Sequence, residues 1–97
     1  MANDDGVTAL NVAAYYGREA VVRALIELGT DVNKAMDGGA TPLCAAARNG
    51  HETVVRALIE TGADINKARD DGVTARVIAA EKGHAAIVQL LRDAGAV

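Results

Sequence analysis

Residues 39–66 read GATPLCAAARNGHETVVRALIETGADIN, and partial copies of this stretch lie on both sides of it along the chain. Thr41 recurs as Thr8 and as Thr74, so the step between copies is 33 residues. The segment VVRALIE at residues 21–27 returns unchanged at residues 54–60. Repetition at a fixed step of this length is typical of solenoids, in which each copy is one structural unit that stacks on the next.

Each unit contains the signals for two helices. Thr41 stands where a helix N-cap belongs, because its hydroxyl can accept a hydrogen bond from a free N–H of the first turn. Pro42 follows it, and proline at the first helical position costs no hydrogen bond. The short helix then runs to Gly50, which suits a left-handed C-terminal cap. A second helix follows, because the apolar residues in 54–60 are spaced as one buried stripe.

The segments between helices are predicted to be turns and hairpin-like loops. Gly62 stops the second helix, and the Asp, Asn and Gly residues that follow favour tight turns. Neither helix of a unit can hide its apolar face alone, so the units must stack. The sequence therefore predicts six helices, two per unit, with no extended sheet. The repeats are expected at about 3–35, 36–68 and 69–97 within a single domain, 1–97.

Four fragments of the chain closely resemble the ankyrin repeat: residues 39–43 (GATPL), 45–47 (AAA), 49–51 (NGH) and 62–66 (GADIN). The resemblance extends over three units, from about Asn3 to Val97. It implies an all-α ankyrin-repeat solenoid of helix-turn-helix units with short hairpin-like loops. It also implies a role in binding other proteins.

The chain departs from the family pattern at one position in each unit. The family usually has a histidine after Thr-Pro-Leu, where its imidazole helps to tie adjacent hairpins. Asn11, Cys44 and Val77 occupy that position here. We therefore expect this tie to be missing throughout.

The two ends of the array differ in polarity. Arg76 and Arg92 replace apolar residues of the other units, and this indicates a polar C-terminal cap. The first unit keeps the apolar residues Leu10, Val12, Val21, Val22, Leu25 and Ile26. Either the chain is a fragment of a longer array, or its N-terminal face meets another surface.

Composition and charge exclude several classes of protein. The chain has 97 residues, one cysteine and a net charge of −3. An acidic balance disfavours nucleic acid, whose phosphates need a basic surface. No apolar run is long enough to span a bilayer, and residues 1–5 lack the features of a secretory signal. We expect an intracellular, cytoplasmic protein that binds neither nucleic acid nor membrane.

The resemblance implies a binding surface formed by the hairpin tips and the concave face of the first helices. The residues expected there are Tyr15, Tyr16, Met36, Asp37, Arg48, Asn49, Arg69, Asp70, Asp71, Glu81 and Lys82. The tips also include Asp4, Asp5, Val7, Gly38, Ala40 and Val73. These positions differ most among the units, whereas the packing positions agree. Tyr15 and Tyr16 are the strongest candidates, because tyrosine is a frequent interface anchor.

The residues that could suggest chemistry are better assigned structural roles. His51 and His84 recur after a helix-ending glycine, a family packing position, and no carboxylate–histidine–nucleophile set accompanies them. Cys44 is expected to be a small buried hydrophobe. The paired aspartates lie at turns, where Asp is favoured for its local hydrogen bonds. The sequence predicts no enzyme activity, no cofactor and no metal site.

Two functions remain open from the sequence. The first is a module that binds a partner protein through the hairpin tips and the concave helix face. The alternative is a scaffold that associates with itself. The near-identity of the first two units suits either a natural array with a recent duplication or an engineered scaffold.

Asn33 and Asn66 match a position that asparaginyl hydroxylase can modify in animal ankyrin proteins.

Overall fold

A computed structural model describes residues 8–97 as three consecutive pairs of α-helices. The helices are α1 Ala9–Tyr15, α2 Glu19–Glu27, α3 Pro42–Arg48, α4 Glu52–Glu60, α5 Ala75–Glu81 and α6 Ala85–Asp93. Within this described part no residue belongs to a β-strand. The prediction of six helices without an extended sheet is confirmed.

A threonine caps the short helix of every unit, as predicted. Thr8 Oγ1 accepts a hydrogen bond from the Asn11 N–H at 3.1 Å. Thr41 Oγ1 accepts from the Cys44 N–H at 3.3 Å, and Thr74 caps α5 in the same way. Each hydroxyl satisfies one of the N–H groups that a helix leaves without a partner in its first turn.

The six helices stack as two layers. The short helices α1, α3 and α5 pack side by side, and the long helices α2, α4 and α6 form the second layer. The core between the layers consists mainly of Ala, Val and Leu side chains, and Cys44 lies in it at 3% exposure. Its largest fully buried apolar side chains are Leu10, Leu43, Leu58, Leu91, Val22, Val54 and Val55.

The histidines hold one unit against the next. Gly17 has a positive φ of 72°, and a Cβ atom added there would lie 2.5 Å from His51 Nδ1. His51 Nε2 donates to the Tyr15 carbonyl at 2.8 Å. The next interface repeats the arrangement, with the His84 ring packed against Gly50. The predicted structural role of both histidines is confirmed.

The tie that the sequence predicted to be missing throughout is present in the first unit. Asn11 Nδ2 donates to the Lys34 carbonyl at 3.0 Å, so this side chain joins its helix to the loop that follows α2. The prediction was wrong there because an amide offers the N–H donor that an imidazole would supply. Cys44 and Val77 make no corresponding side-chain bond in residues 8–97.

Asparagines also link the loops of neighbouring units. Asn33 Oδ1 accepts from the Asp64 N–H at 2.7 Å, and Asn66 Oδ1 accepts from the Val97 N–H at 3.0 Å. These bonds recur at the spacing of the repeat, and each joins one unit to the corresponding segment of the next. They give both asparagines a structural role in the stack.

The predicted hairpin tips at residues 36–40 and 69–73 are tight turns. The Met36 N–H donates to the Ala40 carbonyl at 2.9 Å, and Arg69 makes the same bond to Val73 at 2.9 Å. The two tips touch, because the Asp70 N–H donates to the Gly38 carbonyl at 2.9 Å. The first predicted tip, with Asp4, Asp5 and Val7, lies outside the described residues.

Candidate binding surface

An open apolar groove lies where α1 meets the first described hairpin tip. Tyr15, Tyr16 and Met36 line it together with Asn11, Val12 and Ala45, around a cavity of ≈ 260 Å³. We call this the tyrosine groove. The structure thus brings together three residues that the sequence proposed for one surface.

The two tyrosines are held at the end of α1. Tyr15 is the last helical residue and Tyr16 is the C-cap, while Ala13 and Ala14 fill the core side of the same helix. Tyr15 is 46% exposed and Tyr16 is 64% exposed. Their rings pack edge to face with centroids 5.0 Å apart, an arrangement that aromatic pairs favour. The pair therefore forms a stiff apolar wall open to solvent.

Asn11 contributes a polar atom beside the groove that sequence analysis did not foresee. Its Oδ1 is buried and has no hydrogen-bond partner in residues 8–97. The bond from Nδ2 to the Lys34 carbonyl fixes the amide orientation, because a flipped amide would set two oxygens against each other. A buried acceptor without a partner costs free energy. The only sequence signal was an asparagine among apolar residues of α1.

A second depression lies between the hairpin tips. Asp37, Arg69, Asp70 and Asp71 line it with Gly38 and Ala40, around a cavity of ≈ 380 Å³. We call it the hairpin cleft. All four charged residues were proposed for the binding surface from the sequence.

Charge in the hairpin cleft is partly neutralised by an internal ion pair. Arg69 donates from Nε and from Nη2 to the two carboxylate oxygens of Asp71. These bonds, with a further one from the Val73 N–H, lower the pKa of Asp71. The same pair raises the pKa of Arg69. Asp37 and Asp70 have no salt bridge within the described ranges, so the open side of the cleft is acidic.

The four remaining proposed residues lie outside both depressions. Arg48 and Glu81 end α3 and α5, and Asn49 and Lys82 are the corresponding C-caps. Arg48, Glu81 and Lys82 are exposed. Asn49 is half-buried and its Nδ2 donates to the Tyr15 carbonyl at 2.8 Å, so it holds adjacent units together.

Two properties of the described residues bear on metal binding and catalysis. No group of three or more His, Cys, Asp or Glu side chains in residues 8–97 is placed to hold a metal ion. The carboxylates with a lowered pKa, Glu19 and Asp71, are both on the surface, and each is bound by an arginine.

In this part of the chain no helix is both long enough and apolar enough to cross a bilayer.

Comparison with known families gives two matches. A model for ankyrin repeats in three copies matches residues 28–97, and a model for a single ankyrin repeat matches residues 5–34. Together the two matches run from residue 5 to residue 97. A search of curated proteins gives no match.

Proposed function

The chain belongs to the ankyrin-repeat family, and from that premise we propose that it binds a partner protein through the tyrosine groove, flanked by the hairpin cleft. Ankyrin repeats are generally modules for protein–protein interaction. The partner contacts are assigned to Tyr15, Tyr16 and Met36 in the groove and to the acidic hairpin tips beside it. No catalytic role is assigned to any residue.

The single observation that carries this proposal is the exposure of the two tyrosines. They are the only aromatic residues of the chain. The other two units have Arg48-Asn49 and Glu81-Lys82 at the same positions, so the scaffold stacks without rings there. Rings that packing does not require, and that are about half exposed, supply contact area to a partner at low entropic cost.

The chemistry of the groove indicates what a partner should present. Its walls are apolar, so an apolar side chain would bury surface against Tyr15, Tyr16 and Met36. The acidic hairpin cleft favours a basic residue nearby, whereas the net charge of −3 disfavours nucleic acid. The unpaired, buried Cys44 fits a reducing intracellular compartment.

Peptide display tests the proposal without a known partner. A random peptide library is panned on the wild-type chain, and affinities of the enriched peptides are then measured on Tyr15→Ser/Tyr16→Ser. Losing two anchor rings should weaken binding by about thirtyfold, which is about 2 kcal/mol. Met36→Ala should weaken it less, because one flexible contact is more easily replaced.

A matched control is available in the third unit. Glu81→Ser/Lys82→Ser changes the same two positions outside the groove, and we expect peptide affinity to stay within about threefold of wild type. Thermal midpoints are measured for every variant. Equal binding to both double variants would contradict the groove. A loss of binding that follows a fall in the midpoint would mean that the tyrosines shield the fold.

Self-association is the second role that the sequence left open. The groove gives no observation in its favour.

A further inference from the structure

Two positions that line the tyrosine groove recur one repeat later as arginine. A step of 33 residues takes Tyr15 to Arg48 and Met36 to Arg69. Arg48 is the last residue of α3, as Tyr15 is the last residue of α1. Arg69 begins a hairpin tip with the same turn hydrogen bond as the tip that begins at Met36. The junction of α3 with α5 therefore carries arginine where the junction of α1 with α3 carries apolar side chains.

The exposure of Tyr15 and of Arg48 is a property of the repeat. Tyr15, Arg48 and Glu81 are equivalent residues, and all three are exposed. The position is therefore open in the middle unit, which is packed on both sides, as well as in the first unit. The exposure of Tyr15 and Arg48 thus does not come from a missing neighbour.

The two arginines differ in how far their charge is already compensated. Arg69 donates to both carboxylate oxygens of Asp71. Arg48 has no salt bridge among residues 8–97. Its guanidinium has N–H donors in a planar fork that matches the geometry of a carboxylate. Arg48 is therefore the better of the two for binding a carboxylate from outside the chain.

We propose that the partner segment places one apolar residue in the tyrosine groove and a carboxylate about 9 Å away, on Arg48. The inference rests on the function proposed for the groove and adds the chemistry of a second contact. Helices that pack side by side, as α1 and α3 do, have axes about 8–10 Å apart. A segment in the polyproline II conformation has about three residues per turn and rises about 3.1 Å per residue. Side chains three residues apart then share one face at about 9 Å, so the partner has Asp or Glu three residues from its apolar anchor.

The charges on the two sides of the binding surface give the partner segment one orientation. Asp37 and Asp70 make the open side of the hairpin cleft acidic, and they repel a carboxylate. Arg48 lies on the layer of short helices and attracts one. Charge complementarity of this kind sets the register of a complex and excludes the opposite arrangement. The acidic residue of the partner therefore faces the short helices, and a basic residue faces the hairpin tips.

Peptides enriched from the random library on the wild-type chain test the spacing. The anchor of each peptide is the apolar residue whose change to alanine weakens binding to wild type but not to Tyr15→Ser/Tyr16→Ser. We expect Asp or Glu three residues before or after this anchor. Arg48→Glu should weaken binding of these peptides by about tenfold, because a like charge then faces the carboxylate. The same peptides with lysine in place of the acid should bind Arg48→Glu within about threefold of the original affinity.

Arg92→Glu is the matched control for Arg48→Glu. Both arginines are exposed and lie in the last turn of a helix, and both changes alter the net charge equally. Arg92 belongs to α6, in the layer of long helices, so peptide affinity should stay within about threefold of wild type. Thermal midpoints are measured for both variants, and affinities are compared below the lower midpoint.

Three results would overturn the proposal. One is an equal loss of affinity for Arg48→Glu and Arg92→Glu, because the effect would then be one of net charge. The others are enriched peptides without an acid at this spacing, and a lysine peptide that does not recover affinity. Peptides that need the tyrosines but not Arg48 would overturn this contact and leave the function proposed for the groove standing. A library that yields no peptide for the wild-type chain would contradict both.

Discussion

Val21 and Val54 occupy the same position of an identical segment, so truncating each to alanine measures how much a neighbouring unit contributes to the stability of the fold. Val54 is fully buried, whereas Val21 is 48% exposed. Val→Ala removes two methyl groups, and each contributes about 0.8 kcal/mol to stability when it is buried. Val54→Ala therefore loses about 1.6 kcal/mol of folding free energy before the cost of a cavity is added. At Val21 about half of that area is already in water, so the loss is about 0.8 kcal/mol without a cavity.

Helix propensity acts equally on both variants. Alanine is the better helix former by at most about 0.7 kcal/mol, and this gain offsets part of each loss. We therefore expect Val21→Ala to be nearly neutral and Val54→Ala to destabilise the fold by about 1 kcal/mol or more. Urea unfolding at a concentration where the chain is monomeric gives both midpoints. Equal losses, or a larger loss for Val21→Ala, would refute the assigned order of stacking.

Three further perturbations test separate contacts. Leu58→Ala should cost about 2–5 kcal/mol and more than Leu25→Ala, because Leu58 is fully buried and Leu25 only partly; denaturant midpoints check the order. Gly17→Ala should lower the thermal midpoint more than Gly83→Ala, since both have positive φ but only the first meets a histidine ring. The pKa of Asp71 is lowered in the folded chain, chiefly by its bond with Arg69. The stabilisation that this ion pair gives the fold is therefore fully present above the ordinary pKa of 3.8, and it is lost as pH falls through the pKa of the folded state. The midpoint of Asp71→Asn should therefore approach that of wild type on acidification, and a constant gap would contradict the ion pair.

The helices and their caps could be predicted because their signals are local. Thr41 and Pro42 specify the start of α3 through the chain itself, and Gly50 specifies the turn after it. These signals need no information about neighbours. The 33-residue step then predicted that the units stack, because each unit must cover the apolar face of the next.

The asparagine bonds could not be predicted because they depend on distances between segments that lie far apart in the sequence. Asn11 stands at a position where the resemblance predicted no tie, yet its amide reaches the Lys34 carbonyl. Asn49 was assigned to the binding surface from the resemblance and from its variability, and the sequence did not predict that its Nδ2 donates to the Tyr15 carbonyl. Variability among units identifies positions that the shared packing of the repeat does not constrain. It does not show which hydrogen bond the side chain at such a position makes.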